Sequence, residues 1–285
     1  IARHCGVQPE NILCGNGSDE NLLLALRAFC DETHPLAFAD ITYSFYPVLC
    51  DLLHIPQHVI LVKEDFSLDL SKYHGLNETI VIANPNAPTT LLQPAAIEEV
   101  VRTNPDSIVI VDEAYIDFAG PNASCVPLTK KYDNVIVVQT FSKSHNLAGA
   151  RVGFCVANPE LIADMNRIKF SYSPYNVNSL SQAAAVAAME DENYFRDTVG
   201  KICATRADTM IKLRERGFTG PDSATNFLFV TTSRMPCKQI FERLRQKGVL
   251  IRYFSAPRLS DYLRITIGTP EQMQRFFEEL DLILG

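Results

Sequence analysis

Lys143 is the residue with the clearest capacity for covalent chemistry. It follows the β-branched run Val135–Thr140 and stands beside Ser142 in the sequence Thr-Phe-Ser-Lys. A lysine amine attacks carbonyl groups and forms Schiff bases with them, including the aldehyde of pyridoxal phosphate. A lone lysine is usually a solvated surface residue, so Lys143 is a candidate only if the other groups that such a cofactor requires accompany it.

A carboxylate suited to this cofactor follows the apolar run Ile108–Val111. Asp112 ends that run, and Tyr115 lies on the same turn. A buried carboxylate needs a partner, and a carboxylate against the pyridine nitrogen keeps it protonated, so that the ring accepts electrons. Tyr115 is placed to bond the phenolic oxygen of the cofactor. Taken alone, Asp112 fits a helix cap equally well.

A candidate phosphate site joins a predicted strand to the N-terminus of a predicted helix, in the sequence Gly-Asn-Gly-Ser-Asp over residues 15–19. Free backbone N–H groups and the helix dipole favour an anion at such a position. The residues predicted to surround the phosphate are Gly17, Ser18 and Asp19, the last two mainly through their backbones.

Three further side chains complete the predicted cofactor site. Arg151 lies eight residues after Lys143 and is able to hold a phosphate through a forked contact. Ser142 adds a hydroxyl group. Tyr43 is placed to stack on an aromatic ring.

Two arginines near the C-terminus are candidates for binding a substrate anion. Arg264 lies inside the apolar run Tyr262–Ile267, where a guanidinium requires an anionic partner. A substrate carboxylate or an internal ion pair would satisfy it. Arg252 ends the preceding predicted strand, where it either contacts a second anion or lies in solvent.

The composition is that of a globular protein and excludes several functional classes. The chain has 285 residues, of which 47% are hydrophobic and 21% charged, and its formal net charge is −7. A mildly acidic chain is not a general nucleic-acid binder, and no apolar stretch of about 18 residues predicts a membrane span.

The cysteines and histidines point to a reducing compartment and to no metal site. The 8 cysteines form no C-x-x-C pair and the 6 histidines form no H-E-x-x-H motif. We therefore expect reduced thiols and a cytoplasmic location. The chain starts at Ile1 without an initiator methionine, so we expect part of the natural chain to precede it.

Short apolar strands alternate with helices through the first two thirds of the chain. The predicted strands are Asn11–Cys14, Leu36–Ala39, His58–Val62, Thr79–Ala83, Ile108–Val111, Val135–Thr140 and Val152–Val156. The predicted helices are Asn21–Cys30, Phe45–Leu53, Ala95–Thr103, Pro159–Ile168 and Ser179–Glu190. This alternation predicts an α/β fold with a mostly parallel sheet in a three-layer large domain. The polar residues that follow four of the strands should then meet at one edge of the sheet.

The remaining chain has a different pattern and predicts a smaller α+β domain. Its predicted strands are Asn226–Thr231, Val249–Arg252 and Tyr262–Ile267, and its helices are Tyr194–Arg216, Pro236–Lys247 and Pro270–Leu284. We place the large domain at residues 1–189 and the small C-terminal domain at residues 190–285.

Five motifs, in this order, resemble those of the class I and II aminotransferases, which are fold type I pyridoxal-phosphate enzymes. They read G-N-G-S-D-E, N-P-N-A-P-T, V-D-E-A-Y, T-F-S-K-S…L-A-G-A-R-V-G-F and Y-L-R-I-T-I-G-T. Each is weak alone, but their order and spacing are specific, and the resemblance extends from about Gly6 to the C-terminus. Within the family the chain looks most like the histidinol-phosphate aminotransferases, which implies transamination of histidinol phosphate with 2-oxoglutarate.

The resemblance implies a role for each candidate residue. It makes Lys143 the lysine bound to the cofactor, with Asp112 on the pyridine nitrogen and Tyr115 on the phenolic oxygen. Tyr43 stacks on the ring, and the phosphate is surrounded by Gly17, Ser18, Asp19, Ser142 and Arg151. Arg264 takes the substrate carboxylate, and Arg252 takes the phosphate of the substrate.

Two departures from the family pattern affect these assignments. Ala87 stands where the family usually has the asparagine that bonds the phenolic oxygen, and Thr90 replaces a glycine. Asn86 lies one position early, and we keep it as a candidate cofactor residue. The N-terminal arm that closes the site in the family lies upstream of Ile1.

Other functions remain open at this stage. Aromatic aminotransferases and threonine-phosphate decarboxylases share nearly all these motifs, and a non-catalytic sensing domain that binds pyridoxal phosphate would keep the fold. The family resemblance also implies a homodimer, because its sites lie at a subunit boundary.

Overall fold

The chain alternates between strands and helices for most of its length. The computed structural model describes residues 1–88 and 90–285, and Thr89, within the N-P-N-A-P-T motif, lies outside them. The strands are β1 (Ile12–Gly15), β2 (Leu36–Ala39), β3 (Gln57–Ile60), β4 (Thr79–Ala83), β5 (Val109–Asp112), β6 (Val135–Thr140), β7 (Gly153–Ala157), β8 (Phe218–Thr219), β9 (Phe227–Thr232), β10 (Arg252–Tyr253) and β11 (Leu263–Thr266). The helices are α1 (Ala2–Cys5), α2 (Ser18–Phe29), α3 (Phe45–Leu53), α4 (Pro94–Thr103), α5 (Pro159–Tyr172), α6 (Ser179–Glu190), α7 (Glu192–Glu215), α8 (Cys237–Gln246) and α9 (Pro270–Leu284). Among these helices, none combines the length and the apolar character that crossing a bilayer requires.

Seven strands form the large sheet, in the order β1-β7-β6-β5-β4-β2-β3. The pairs from β3 to β6 are parallel, whereas β7 is antiparallel to both of its neighbours, β6 and β1. Strand β1 therefore runs in the same direction as β6, and β7 is the reversed strand. The prediction of a mostly parallel sheet is confirmed.

The central strands are apolar throughout because both faces of the sheet are covered. All residues of β4 are buried, and its alternate side chains enter two different clusters. Ile80 and Ile82 pack with residues of α4 on one face. Val81 and Ala83 pack on the other face with residues of α2, α3 and α5. The result is the predicted three-layer large domain.

A second, antiparallel sheet in the order β10-β11-β9-β8 lies in the C-terminal part. Its core is shared with α7, α8 and α9. Helix α9 begins with a capping box, in which Thr269 and Gln272 each bond the backbone N–H of the other. The smaller α+β domain is confirmed, and its boundary at residues 189 and 190 stays a prediction.

Two short strands differ from the sequence prediction for local reasons. The predicted strand Val249–Arg252 is a strand only from Arg252 onward, because Val249 N–H bonds Leu244 O and closes the end of α8. Gly248, with φ of 77°, permits this helix ending. Strand β8 has two residues, too few to show an alternating pattern in the sequence.

Candidate active site

The predicted site residues come together at one edge of the large sheet. Strands β1, β4, β5 and β6 run in the same direction, so their carboxyl ends share that edge. The residues that follow these ends are Gly17, Ser18, Asp19, Asn86, Asp112, Tyr115, Ser142 and Lys143. Because β7 is reversed, its first residues lie at the same edge, and Arg151 directly before it is brought there too.

Asp112 is a buried carboxylate at the end of β5. The Tyr46 hydroxyl donates to its Oδ2 at 2.7 Å, and the Ala114 N–H donates to its Oδ1 at 3.2 Å. Burial raises the pKa of Asp112 to about 6, an effect that these two donors and the positive charge of Lys143 oppose. The carboxylate therefore lies within electrostatic reach of the lysine and is suited to bind a cation.

Lys143 lies in the same space as Tyr115. Its Nζ is 5.3 Å from the centre of the Tyr115 ring. Across the part of the chain that is described, no carboxylate lies within 4.0 Å of this amine. On its far side the Tyr115 ring packs edge-on against Phe227 at 5.4 Å, which connects the lysine to the small domain. The amine is half-buried and has no carboxylate to hold it as a salt bridge.

The turn before α2 approaches β7 so closely that a side chain cannot fit between them. A Cβ on Gly153 would lie 2.4 Å from the backbone nitrogen of Ser18 and 2.5 Å from the carbonyl carbon of Gly17. Gly17 has φ of 86°, in the region that favours glycine. The free N–H groups at the start of α2 are thereby held beside the first residues of β7, in an arrangement that suits a phosphate.

The Asp19 carboxylate connects Arg151, a candidate phosphate-binding residue, to Tyr43, the candidate ring-stacking residue. Its Oδ2 accepts from Arg151 Nη2 at 3.2 Å, and its Oδ1 accepts from the Tyr43 hydroxyl at 3.0 Å. Arg151 Nη1 also reaches the Ser142 hydroxyl at 3.5 Å. The prediction gave Asp19 a backbone role, and the structure adds this contact of its side chain with two other candidates.

The described contacts of Asn86 connect it to the loop that carries Tyr43. Its Oδ1 accepts from the Thr42 hydroxyl at 2.6 Å, and its amide donates to Ile41 O at 2.9 Å. Asn86 is almost fully buried. These bonds hold the two residues that directly precede Tyr43, the candidate stacking residue, and a direct contact of Asn86 with the cofactor stays a prediction.

Arg252 and Arg264 lie opposite each other on neighbouring strands of the small sheet. Arg264 lies over the Phe227 ring at 5.0 Å and over the Phe254 ring at 5.6 Å, and Arg252 lies over Phe254 at 5.3 Å. Burial, together with the charge of Arg252, lowers the pKa of Arg264. Within residues 1–88 and 90–285, the buried Nε of Arg264 has no hydrogen-bond partner. Two adjacent guanidinium groups with an unused buried donor form a site for an anion.

Two functional contacts were missed from the sequence. Tyr46 bonds Asp112, and the signal for it was a tyrosine on the apolar face of α3, where a buried hydroxyl needs a partner. Glu113, next to Asp112, is buried and accepts bonds from the Cys125 N–H, the Ser124 hydroxyl and the Gln139 amide. Burial raises the pKa of Glu113 to about 7. Three converging donors anchor the turn that follows β5.

The arrangement fits pyridoxal phosphate. A buried carboxylate suits a protonated ring nitrogen. The charge of Lys143 acts on this carboxylate, and among the described residues no carboxylate lies within 4.0 Å of the Lys143 amine. The glycine-lined approach of α2 to β7 suits a phosphate dianion, and Arg151 lies beside it. The sequence resemblance and the chemistry of these side chains therefore agree.

Comparisons with known proteins give the same family for nearly the whole chain. The family model described as aminotransferase class I and II matches residues 1–280. A histidinol-phosphate aminotransferase of Brachyspira hyodysenteriae is 45% identical over 285 residues, which is all of this chain and 80% of that protein. Histidinol-phosphate aminotransferase 1 of Hydrogenovibrio crunogenus is 44% identical, again over all of this chain and 80% of its own length.

A solved structure shows the same fold. Histidinol-phosphate aminotransferase from Sinorhizobium meliloti, in complex with pyridoxal 5'-phosphate, matches with a TM-score of 0.90 at 24% identity. The match covers 99% of this chain and 79% of that chain.

Proposed function

Because the chain belongs to the class I and II aminotransferases, we propose that it transfers an amino group from histidinol phosphate to 2-oxoglutarate. The observation that carries the choice of substrate is the pair of opposed arginines beside the lysine site, together with relatives of that name at 45% identity over the whole chain. The proposed cofactor is pyridoxal 5'-phosphate.

Lys143 holds the cofactor and then acts on the substrate. The cofactor, when bound, supplies an electron sink that stabilises negative charge at the substrate α-carbon. The Lys143 amine removes the proton from the α-carbon of the amino donor and, in the second half of the cycle, returns a proton to the α-carbon of the acceptor. Its position beside Tyr115, with no carboxylate within salt-bridge distance in the described part of the chain, supports this role.

Three side chains orient the cofactor ring in this proposal. Asp112 faces the ring nitrogen, where a cation offsets the cost of its burial. Tyr115 bonds the phenolic oxygen. Tyr43 covers one face of the ring, and its hydroxyl is held by Asp19.

The phosphate is bound at the start of α2. Gly17 and Ser18 offer backbone N–H groups, and Ser142 offers a hydroxyl. Arg151 offers a forked guanidinium, which the Asp19 carboxylate orients.

Arg264 and Arg252 differ in how far they are buried, and this difference suits two different anions. In an amino acid such as glutamate the carboxylate is attached directly to the reacting carbon, whereas the phosphoryl group of histidinol phosphate lies two bonds farther out. Arg264 is the more buried arginine, and it packs on Phe227, the ring that contacts Tyr115. We assign the carboxylate to Arg264 and the phosphoryl group to the more exposed Arg252.

We also propose that the chain forms a homodimer in the cytoplasm. Large apolar side chains are exposed on the end of α5, the following loop and the start of α6, namely Phe170, Tyr172, Tyr175 and Leu180. Asn176, in the middle of this surface, donates to Cys14 O at 3.4 Å, so the surface borders the edge strand β1. A second copy of the chain would cover it. All 8 cysteines are free thiols, which suits a reducing compartment.

The absorbance of the purified holoenzyme tests the function. Adding histidinol phosphate should convert the spectrum of lysine-bound cofactor, and 2-oxoglutarate should restore it. Conversion by phenylalanine or by threonine phosphate instead would identify one of the alternative reactions. A spectrum that no amino donor changes would indicate a sensing domain.

The substitution Lys143→Ala provides the matching test of mechanism. We expect loss of the lysine-bound absorbance and a fall in kcat of about 10²–10⁴-fold or more, since the proton-transfer group is removed. A variant that kept both properties would rule out Lys143 as the acting amine.

A further inference from the structure

The side chain of Arg258 joins the small domain to the large domain through three oxygen atoms. Its Nη1 donates to Asp40 Oδ2 at 3.1 Å, and its Nη2 donates to Val62 O at 3.1 Å and to Lys63 O at 2.6 Å. The guanidinium also lies 5.8 Å from the centre of the Phe66 ring. We propose that Arg258 is a positioning residue that holds the two substrate-binding arginines at a fixed distance from the cofactor side of the site. This inference rests on the proposed function.

On the small-domain side, Arg258 lies in the connection between β10 and β11. These strands form a hairpin, and they carry Arg252 and Arg264 at directly paired positions. Leu259, in the same connection, packs against the core of the large domain. Strands β10 and β11 pair at two positions, Arg252 with Arg264 and Tyr253 with Leu263, so we expect a displacement of this connection to move both guanidinium groups.

On the large-domain side, the acceptors of Arg258 are continuous with the ring-stacking loop. Asp40 follows β2 directly, and its Oδ1 accepts from the Val62 N–H at 2.8 Å. Thr42 and Tyr43 come two and three residues later, and Thr42 is bonded to Asn86. One ion pair thus connects the hairpin with the substrate arginines to the loop that covers the cofactor ring.

Next to Arg258, three aromatic rings also join the two domains, through ring packing and not through the hydrogen bonds that Arg258 makes. The rings of Phe229 and Tyr262 stack with their centres 4.5 Å apart. The Phe66 ring packs edge-on against both, with its centre 5.6 Å from that of Phe229 and 5.2 Å from that of Tyr262. Apolar packing favours contact between the domains, but it tolerates small shifts because it is non-directional. The planar fork of an arginine, with three acceptors, fixes the register of the two domains.

The backbone of Arg258 supports this role. Its φ is 66°, in the left-handed region that is unfavourable for a residue with a Cβ. Such a conformation persists only where surrounding contacts hold it. The three hydrogen bonds of the side chain are the contacts that do so.

The consequence for catalysis is geometric. Substrate anions are bound on the small domain, while Lys143 is on the large domain, so the reacting carbon is placed by the relation between the two. A misplacement of about 1 Å at a reacting centre is able to lower the rate about 10²-fold. The effect should be largest for KM, because the arginines hold the substrate before chemistry begins.

The test compares Arg258→Ala with Arg216→Ala in the holoenzyme. Arg216 makes an equivalent forked ion pair with Asp281, at 2.6 and 2.7 Å, but wholly inside the small domain. For Arg258→Ala we expect kcat/KM for histidinol phosphate to fall about 10- to 100-fold, mainly through KM, with the lysine-bound absorbance retained. Arg216→Ala should leave KM within twofold of the wild type.

A second readout does not depend on turnover. In the cofactor-free protein, amide hydrogen exchange over residues 254–262 and 62–66 should accelerate at least tenfold in Arg258→Ala and remain unchanged in Arg216→Ala. Asp40→Asn should raise KM in the same direction, and the double variant should be no worse than Arg258→Ala alone. Should Arg258→Ala fail to fold, Arg258→Lys, which keeps the charge without the fork, should give an intermediate rise in KM.

Several outcomes would overturn the proposal: an unchanged KM in the foldable Arg258 variant, an equal rise in KM for Arg216→Ala, or additive effects of the Arg258 and Asp40 changes. A wild-type protein that does not react with histidinol phosphate would instead refute the proposed function. In that case, unchanged exchange over residues 254–262 in Arg258→Ala would still refute the positioning role.

Discussion

Asp112 is a buried carboxyl group whose proposed partner, the protonated ring nitrogen of the cofactor, is not part of the chain. Its two hydrogen-bond donors and the nearby charge of Lys143 do not offset burial, so its pKa is raised to about 6. A protonated ring nitrogen beside it would lower that pKa again. We therefore expect Asp112 to link cofactor binding to pH and to the stability of the fold.

We expect Asp112→Asn to change the pH dependence of unfolding of the cofactor-free protein. A carboxyl group with a raised pKa binds its proton more tightly in the folded state, so the wild type loses stability as the pH rises from about 4 to about 6. A shift of about two pKa units corresponds to about 3 kcal/mol. The variant lacks this slope, so in urea unfolding it should gain up to that amount relative to the wild type between pH 4 and pH 7.

The same substitution should weaken the binding of the cofactor about 10²–10⁴-fold, since removal of one partner of a buried ion pair costs about 3–5 kcal/mol. Absorbance titration with pyridoxal phosphate measures this change. Equal pH slopes for variant and wild type would show that burial does not raise the pKa of Asp112, and equal cofactor affinity would show that Asp112 does not face a cation.

The approach of α2 to β7 is the arrangement of elements on which the proposed phosphate site depends. We expect Gly153→Ala to push the start of α2 away, because its Cβ would meet the Ser18 nitrogen at 2.4 Å. The cost should be about 1–3 kcal/mol in stability, with cofactor affinity falling about tenfold or more. Urea unfolding and an absorbance titration measure the two effects.

Gly200→Ala is a matched control for this prediction. Gly200 lies inside α7, and an added Cβ there would meet no described atom within 4 Å. This change should raise stability by up to about 1 kcal/mol, because alanine is the better helix former, and leave cofactor affinity unchanged. If Gly153→Ala behaves in the same way, the close approach is not required for binding.

The elements of the large domain follow from local sequence, and several boundaries agree to the residue. Strands such as Thr79–Ala83 and Val135–Thr140 are apolar because both faces of the sheet are covered, and this produces a clear signal. The reversal of β7 has no such signal, since a buried strand has the same composition in either direction. Residues 141–152, which join β6 to β7, form turns and one short 3-10 turn at Ala148–Ala150 instead of the crossover helix that parallel neighbours need.

The sequence predicts the site residues that belong to short motifs. It does not predict the contacts between residues that are far apart in the chain. Lys143, Asp112 and Arg151 stand at strand ends, so their arrival at one edge follows from the topology. The contacts of Tyr46 with Asp112 and of Arg258 with Asp40 join residues that are far apart in sequence. Nothing in the local pattern around either residue specifies its partner.

We expect the exposed apolar surface at residues 170–180 to be the place where two copies of the chain meet in a homodimer. Leu180 is 82% exposed, and three exposed aromatic residues, Phe170, Tyr172 and Tyr175, precede it in the chain. Large exposed apolar surfaces usually mark sites of association. We expect Leu180→Glu to shift the protein from dimer to monomer in sedimentation velocity, with stability of the monomer changed by less than about 0.5 kcal/mol.

Leu282→Glu is the control for assembly. Leu282 is 74% exposed, but it lies on α9 of the small domain. This variant should remain dimeric. If Leu180→Glu is also dimeric, the surface at residues 170–180 is not where two copies meet.

The position of β1 has a consequence for synthesis on the ribosome. Among the strands described here, β7 is its neighbour in the sheet, and Leu13 pairs with Cys155. At about 5–20 residues per second, β1 waits roughly 7 to 30 seconds for that partner to be translated. During this interval Leu22 and Leu26 of α2 can pack only on strands that are already made, such as those that carry Phe38, Val81 and Val138. We therefore expect the close approach of α2 to β7, on which the proposed phosphate site depends, to form only after the reversed strand emerges.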